Sequence, residues 1–327
     1  MLQIRWRGLA AALLSGAALL LAPSAHAQTT SYPSRAVRLV VGFPPGGGVD
    51  VIARLFADKL SQSLGQSVVV ENRPGAAGAI AGRQVAGAEP DGHTVLINSN
   101  SMVINVIMSP NPGLNIEREL KPIATVAPQS IIFTAAPDLP VASLPELIAL
   151  ARSRPLLYGS SGVGSVPHLI VEYLFTSLAQ TRMEHVPYQG AAQALTGAMA
   201  GQVQVASVTT PPAVPLVQAG KLKGLAVTSA ARAATLPTVP TVAEAGYPGF
   251  AVNVWTGFFM PAATPPQIVA RFEKEVLAVA ALPEIKDKLA NLGFDTQTTA
   301  SEQFARDLGD EIKRWSDVVQ KAKLTTQ

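Results

Sequence analysis

The chain reads as an α/β protein of two lobes, each a sheet flanked by helices, joined by two crossover strands. Three observations predict this. Short β-branched runs alternate with helix-period segments along most of the chain, which implies parallel strands with right-handed crossovers. Two long extended runs, residues 123–135 and 251–260, bracket the middle of the chain. Glycine-rich turns sit where strands give way to helices, and in open α/β sheets ligands bind beyond the carboxyl ends of the strands.

The first 27 residues are set apart. Arg5 and Arg7, an apolar stretch over 9–22 and the ending Ala25-His26-Ala27 have the three parts of a secretory signal peptide. The apolar core is short for a bilayer span of about 20 residues, so cleavage after Ala27 is expected rather than anchoring. The remaining chain is expected to be soluble and periplasmic.

After that leader the elements follow in order. Residues 36–43 (AVRLVVGF) form a strand, Pro44 to Gly48 a turn, and 50–64 a helix through Ile52, Leu55, Phe56 and Leu60. A strand at 67–71, a small-residue helix at 76–88 and a strand at 94–98 come next. A second series begins after Pro122 and is expected to build a second sheet. It has the long run 123–135, a helix at 144–152, a strand at 156–158, a helix at 167–179 and a strand at 185–188. The helix 191–200, strand 203–208, helix 212–219 and strand 222–228 complete it. A helix over 239–245 with Thr241 as N-cap precedes the second long run. Helices at 266–280, 284–292 and 301–322 close the chain. Taking the long runs as connections gives lobe 1 as 28–128 plus 256–327 and lobe 2 as 129–255. Two consecutive domains split near residue 130 remain the alternative. An inserted lobe on two extended connections is a hinge, and such proteins close on a ligand held between the lobes.

Composition removes several functions. With 25 Lys+Arg against 22 Asp+Glu, a formal charge of +3 and 14% charged residues, there is no basic face for a nucleic acid. The absence of cysteine excludes disulfides, thiol nucleophiles and thiolate metal sites. His93, His168 and His185 are widely spaced, without acidic residues in a ligand pattern, so neither a metal nor a cofactor is expected.

Two loops carry the chemistry. Phe43, Pro44, Pro45, Gly46, Gly47 and Gly48 lead into a helix near Asp50, so backbone N–H groups and the helix N-terminus can together hold an anion. There is no lysine for phosphate and no dinucleotide fingerprint, which favours a carboxylate; a plain tight turn with Asp50 as N-cap is the simpler reading. Within this loop Gly47→Val is expected to abolish binding while leaving the fold, because the added Cβ stands in a loop that must approach the ligand. The second loop, Ser160, Ser161, Gly162, Val163, Gly164 and Ser165, has the same construction, with His168 in the helix after it. It nearly matches G-x-S-x-G, but Val163 stands where the final glycine belongs, which disfavours a serine hydrolase using Ser161 and His168. Ser99 and Ser101 at the end of the third strand, Tyr188 and Thr209 are further candidate ligand contacts.

Several segments together resemble a known family. They are Phe43-Pro44-Pro45-Gly46-Gly47-Gly48-Val49-Asp50, Val70-Glu71-Asn72-Arg73-Pro74-Gly75-Ala76, Tyr158-Gly159-Ser160-Ser161-Gly162 and Val186-Pro187-Tyr188-Gln189-Gly190. The chain is similar to the periplasmic substrate-binding receptors of tripartite tricarboxylate transporters, the Bug proteins. The resemblance implies a type II periplasmic binding protein-like fold, no enzymatic activity, a small carboxylate ligand gripped by the two loops, and membrane permease subunits as partners. A monomer is expected. The family's acidic residue and Asp-Asn pair are replaced here by Gln204, Val208 and Thr209, and Val166 and Pro167 also depart from the usual polar residues. A less polar distal pocket would favour an aromatic or short apolar carboxylate. A sensor role through a kinase is a further alternative.

Overall fold

A computed structural model of the chain describes residues 32–322; the expected signal peptide lies outside the described residues. Ten strands are linked by backbone pairing into one path, β2-β1-β3-β9-β4-β7-β5-β6, with β10 and β8 also paired to β4. In chain order these are β1 (Val37–Val41), β2 (Val68–Asn72), β3 (Thr94–Ser99), β4 (Leu120–Ala135) and β5 (Leu157–Ser160). They continue as β6 (Glu184–Pro187), β7 (Val205–Thr209), β8 (Lys223–Val227), β9 (Asn253–Pro261) and β10 (Thr299–Ala300). The helices are α1 (Gly48–Leu64), α2 (Ala79–Ala86), α3 (Ser101–Met108), α4 (Ile116–Glu119), α5 (Leu144–Ser153) and α6 (Val166–Val171). After them come α7 (Ala191–Met199), α8 (Thr210–Gln218), α9 (Pro266–Ala281), α10 (Pro283–Asn291) and α11 (Ser301–Ala322).

The fold is α/β, with sheet flanked by helices, but the strands are not all parallel. β1, β2 and β3 run parallel, as do β5, β6 and β7, whereas β9 is antiparallel to β3 and β4, and β7 and β8 are antiparallel to β4. The second series is joined to the first through β4, whose residues 120–130 pair with β9 and whose residues 131–135 pair with β7. Between Val126 and Gln129 the register shifts, and Ala127 has φ +50. A non-glycine residue in this region is strained, and it sits where β4 changes partners.

Helical periodicity decides the cores. In α1 the apolar Ile52, Phe56, Leu60 and Leu64 recur every four residues and are buried, and Gly65 at φ +70 ends the helix. They face β1, β3 and α9 in one apolar cluster, while α2, α3 and the start of α11 fill another on the opposite side of the sheet. Helix α11 joins two cores: Phe304 and Leu308 belong to the α2–α3 cluster, Trp315 and Val318 to the one built on α5 and α6. Fourteen residues at ~1.5 Å each carry it about 21 Å from one to the other.

Two expectations change locally, and one helix had no expectation. The helix expected at 239–245 is a series of turns: Thr241 and Glu244 do exchange capping-box hydrogen bonds, but Gly246 at φ +109 and Pro248 stop propagation. The helix expected at 167–179 becomes a π-helical turn at Glu172–Leu178, which places the adjacent Leu174 and Phe175 both in the core. Helix α3 was not legible because its residues, Ser101–Met108, are apolar nearly all round, a pattern without a solvent face.

Candidate functional site

Strand register brings the expected loops to one gap. Ser99 at the end of β3 pairs with Thr256 of β9, which pairs with Val126 of β4. Thr209 at the end of β7 pairs with Ile131 of β4. Two antiparallel steps make β3 run with β4, and one makes β7 run against it. The carboxyl ends of β3 and β7 therefore point at each other across five residues of β4, roughly 17 Å at ~3.3 Å per residue. β1 is parallel to β3, and β5 and β6 are parallel to β7. So Phe43–Gly48, Ser99–Ser101, Ser160–Ser165, Tyr188 and Thr209 all follow strand ends that face this gap.

The first loop is braced from behind. Asp50 is buried and is the third helical residue, not the N-cap, which is Gly47. Its Oδ2 accepts from the Gly46 amide at 2.9 Å and from Arg54 Nε at 3.0 Å, and its Oδ1 from Asn72 Nδ2 at 2.8 Å. Asn72 Nδ2 also donates to the Phe43 carbonyl at 2.9 Å. Burial raises the Asp50 carboxyl, but the bonds from Arg54, Gly46 and Asn72 outweigh it and hold it below the usual carboxylate range. Asp50 is thus consumed inside the protein and positions the loop. The backbone adds a second glycine to the loop: Gly46 has φ +81, which only glycine adopts freely, while at Gly47 a Cβ would meet only Pro44 O at 3.4 Å.

The second loop closes on itself. Ser165 is the N-cap of α6, and its Oγ donates to the Gly162 carbonyl at 2.7 Å. The fully buried Ser160 pairs with His185 Nε2 at 2.7 Å. His168 does not approach Ser161; its Nδ1 accepts from the Gly164 amide at 3.1 Å. The hydrolase arrangement is therefore absent. The ring of His185 lies 4.0 Å from that of His168 and 4.9 Å from that of Tyr158. Burial, and then the neighbouring His185, push His168 down to about 3, and burial pushes His185 down to about 4, so both rings are neutral at pH 7. Tyr188 serves the interior too. Its ring covers Gly159 and Gly197, where a Cβ at Gly197 would overlap the phenol, and its hydroxyl points at Gln202.

What these loops can offer a ligand is main-chain N–H groups and three hydroxyls. Among the described residues, no side chain or backbone group bonds the hydroxyls of Ser101, Ser161 or Thr209.

Beside the β4 crossover lies a cavity of about 610 Å³, and the sequence did not indicate its walls. Gln129, Ser130, Thr210, Pro211, Arg232 and Phe294 are among its lining residues, and none of the expected contacts is. It nevertheless adjoins them, since Phe294 would touch a Cβ at Gly48 at 3.6 Å and Thr209 precedes Thr210. The missed residues come from a β-strand kink and from connections after β8 and α10 without a recognisable motif. Another hollow of about 580 Å³ lies beside Arg154 and Arg182, at the amino ends of β5 and β6 and so away from the gap.

A buried carboxylate ties the far side of the gap. Glu311 of α11 accepts from Trp255 Nε1 at 2.6 Å, Trp315 Nε1 at 2.9 Å and Asn100 Nδ2 at 2.9 Å. Burial raises its pKa and these donors offset only part of that. Among the described residues no group of three acidic or histidine side chains is placed to hold a metal, and no helix is long and apolar enough to cross a membrane.

The chain matches the tripartite tricarboxylate transporter family receptor over residues 52–324. It is similar to protein BugT of Bordetella pertussis, 32% identical over 90% of this chain and 92% of that one. A solved structure from R. palustris with adipate is 35% identical, with a TM-score of 0.75, over 90% of this chain and 99% of that chain. MatC from Rhodopseudomonas palustris with bound malate is 32% identical, with a TM-score of 0.72, over 88% and 100%.

Proposed function

Because the chain belongs to the tripartite tricarboxylate transporter receptor family, we propose that it is a periplasmic solute-binding receptor that captures a small organic carboxylate between two lobes. It binds rather than catalyses. The observation that carries this is the opposed strand ends at β4, an arrangement in which two N–H-bearing loops could share one anion without a cation. Similar receptors hold adipate and malate, which supports a carboxylate here.

In this reading residues 28–128 and 256–327 form one lobe and 129–255 the other, with β4 and β9 as the hinge. The carboxylate accepts from the amides of Gly48, Ser161 and Val163, and from the hydroxyls of Ser101, Ser161 and Thr209. Ligand bound better by the closed than by the open arrangement draws the lobes together. The chain is exported with removal of residues 1–27, acts as a monomer and hands its ligand to permease subunits.

Thermal unfolding of the mature protein against a panel of small carboxylates tests this. A ligand at 100 times its Kd should add about 2.7 kcal/mol. A rise with neutral sugars and none with any acid would remove the proposal.

A further inference from the structure

We infer that the cavity beside the β4 crossover receives an uncharged, largely apolar tail, so that the ligand is a monocarboxylate rather than a dicarboxylate. This rests on the receptor reading above and adds the chemistry of the ligand's other end. At about 610 Å³ the cavity has the size of a small-molecule site, and Phe294 joins it to the start of α1 at Gly48. A carboxylate at the first loop thus has the cavity within reach of its substituent.

The wall offers a second carboxylate no unpaired positive charge, since its polar side chains besides Arg232 and Asp295, Gln129, Asn253, Asn291, Thr296 and Gln297 among them, are neutral. Among the described residues Arg232 is the only cation lining it, and its charge is paired with the Glu244 carboxylate. Nε donates to both carboxylate oxygens of Glu244 at 3.1 and 2.9 Å and Nη1 to the Pro237 carbonyl at 3.1 Å. Asp295 adds a negative charge to the same wall. The N-terminus of α8 also opens here, and such an end ordinarily offers unpaired amides to an anion. Here its first turn reads Thr210-Pro211-Pro212, and proline has no N–H. Two of the three donors nearest the helix start are missing. The hydroxyls of Thr210 and Ser130 are bonded to each other at 2.7 Å. Pro211, Val214, Pro215, Leu292 and Phe294 leave apolar surface instead. A carboxylate desolvated there beside Asp295, with neutral side chains alone to answer its charge, would be disfavoured, while an alkyl or aryl group would gain by burial.

Calorimetric titration of the mature protein with hexanoate, 3-phenylpropanoate, adipate and hexanamide tests the inference. At least one of the two monocarboxylates should bind tenfold or more tightly than adipate, and hexanamide should be weaker than hexanoate. Adipate binding as tightly as the better of the two monocarboxylates overturns the inference and leaves the receptor reading standing. No binding by any acid, with hexanamide bound, removes the receptor reading itself. Gln129→Arg, which puts a free cation into the wall, should raise adipate affinity at least tenfold, and Thr296→Arg serves the same purpose from a loop should the strand variant not fold. Unchanged adipate affinity in a folded variant also overturns the inference.

Discussion

Replacing His168 by asparagine should flatten the pH dependence of stability between pH 6.5 and 4. In the folded protein His168 is held neutral down to about 3 by burial and by the neighbouring His185, against an ordinary value of 6.5. The unfolded chain binds that proton from pH 6.5 downward, so its stabilisation is whole above 6.5 and is lost as the pH falls toward 3. At ~1.36 kcal/mol per pH unit the loss from this one ring is about 2 kcal/mol at pH 5 and on the order of 5 kcal/mol by pH 3. His185, down to about 4, adds a second loss in the same direction, smaller than the same arithmetic gives because its ring is only partly buried and solvent screens it. Glu311 works the other way, since its raised pKa makes the folded state bind a proton first as the pH falls. The lowered carboxyls of Asp50 and Asp91 cost stability only near and below pH 4. The asparagine side chain would keep an acceptor for the Gly164 amide but cannot titrate, so the difference between the two proteins isolates one proton. Urea unfolding at half-unit steps from pH 7 to 4.5 should give slopes differing by about 1.4 kcal/mol per pH unit. A constant offset with parallel curves would refute the assignment of a buried neutral imidazole.

Further expectations concern the loops and the hinge. Gly46→Val forces a β-branched residue into φ +81, at about 1–2 kcal/mol, and should weaken carboxylate binding at least tenfold by calorimetry, whereas Gly47→Ala should leave the melting temperature nearly unchanged. Asn72→Ala leaves the Phe43 carbonyl and one Asp50 oxygen without their donor; chemical unfolding should show a loss of about 1–3 kcal/mol, with a larger relative loss of ligand affinity than of fold. Glu311→Gln turns one of three acceptor contacts into a donor facing a donor, so denaturant midpoints should fall by an equivalent of about 1–3 kcal/mol and the emission of Trp255 and Trp315 should shift. An unchanged emission spectrum would count against the contacts of Glu311 with the two indoles.

Local chemistry made much of this protein legible. The alternation of β-branched runs with 3.6-period segments determined most strands and helices, and α11 is legible to its full extent. The glycine loops stand out because a strand followed by glycines and a helix leaves backbone amides unpaired wherever it occurs. Elements failed where the local signal is ambiguous, as in the apolar α3 and the capping box at Thr241 that no helix follows.

Position across the chain was another matter. That the ends of β3 and β7 oppose each other depends on pairings of Ser99 with Thr256 and Ile131 with Thr209, between residues far apart in sequence whose own patterns say nothing about partner or direction. The same holds for Ser160 choosing His185 over the nearer His168, and for Asp50 and Asn72 meeting behind the first loop. Pro211 and Pro212 read as an ordinary helix start until the fold set Pro211 in a cavity wall beside Phe294. Residue type and spacing set what each segment can form and which atoms it can present; long-range hydrogen bonding and burial decide which of those atoms remain for a ligand.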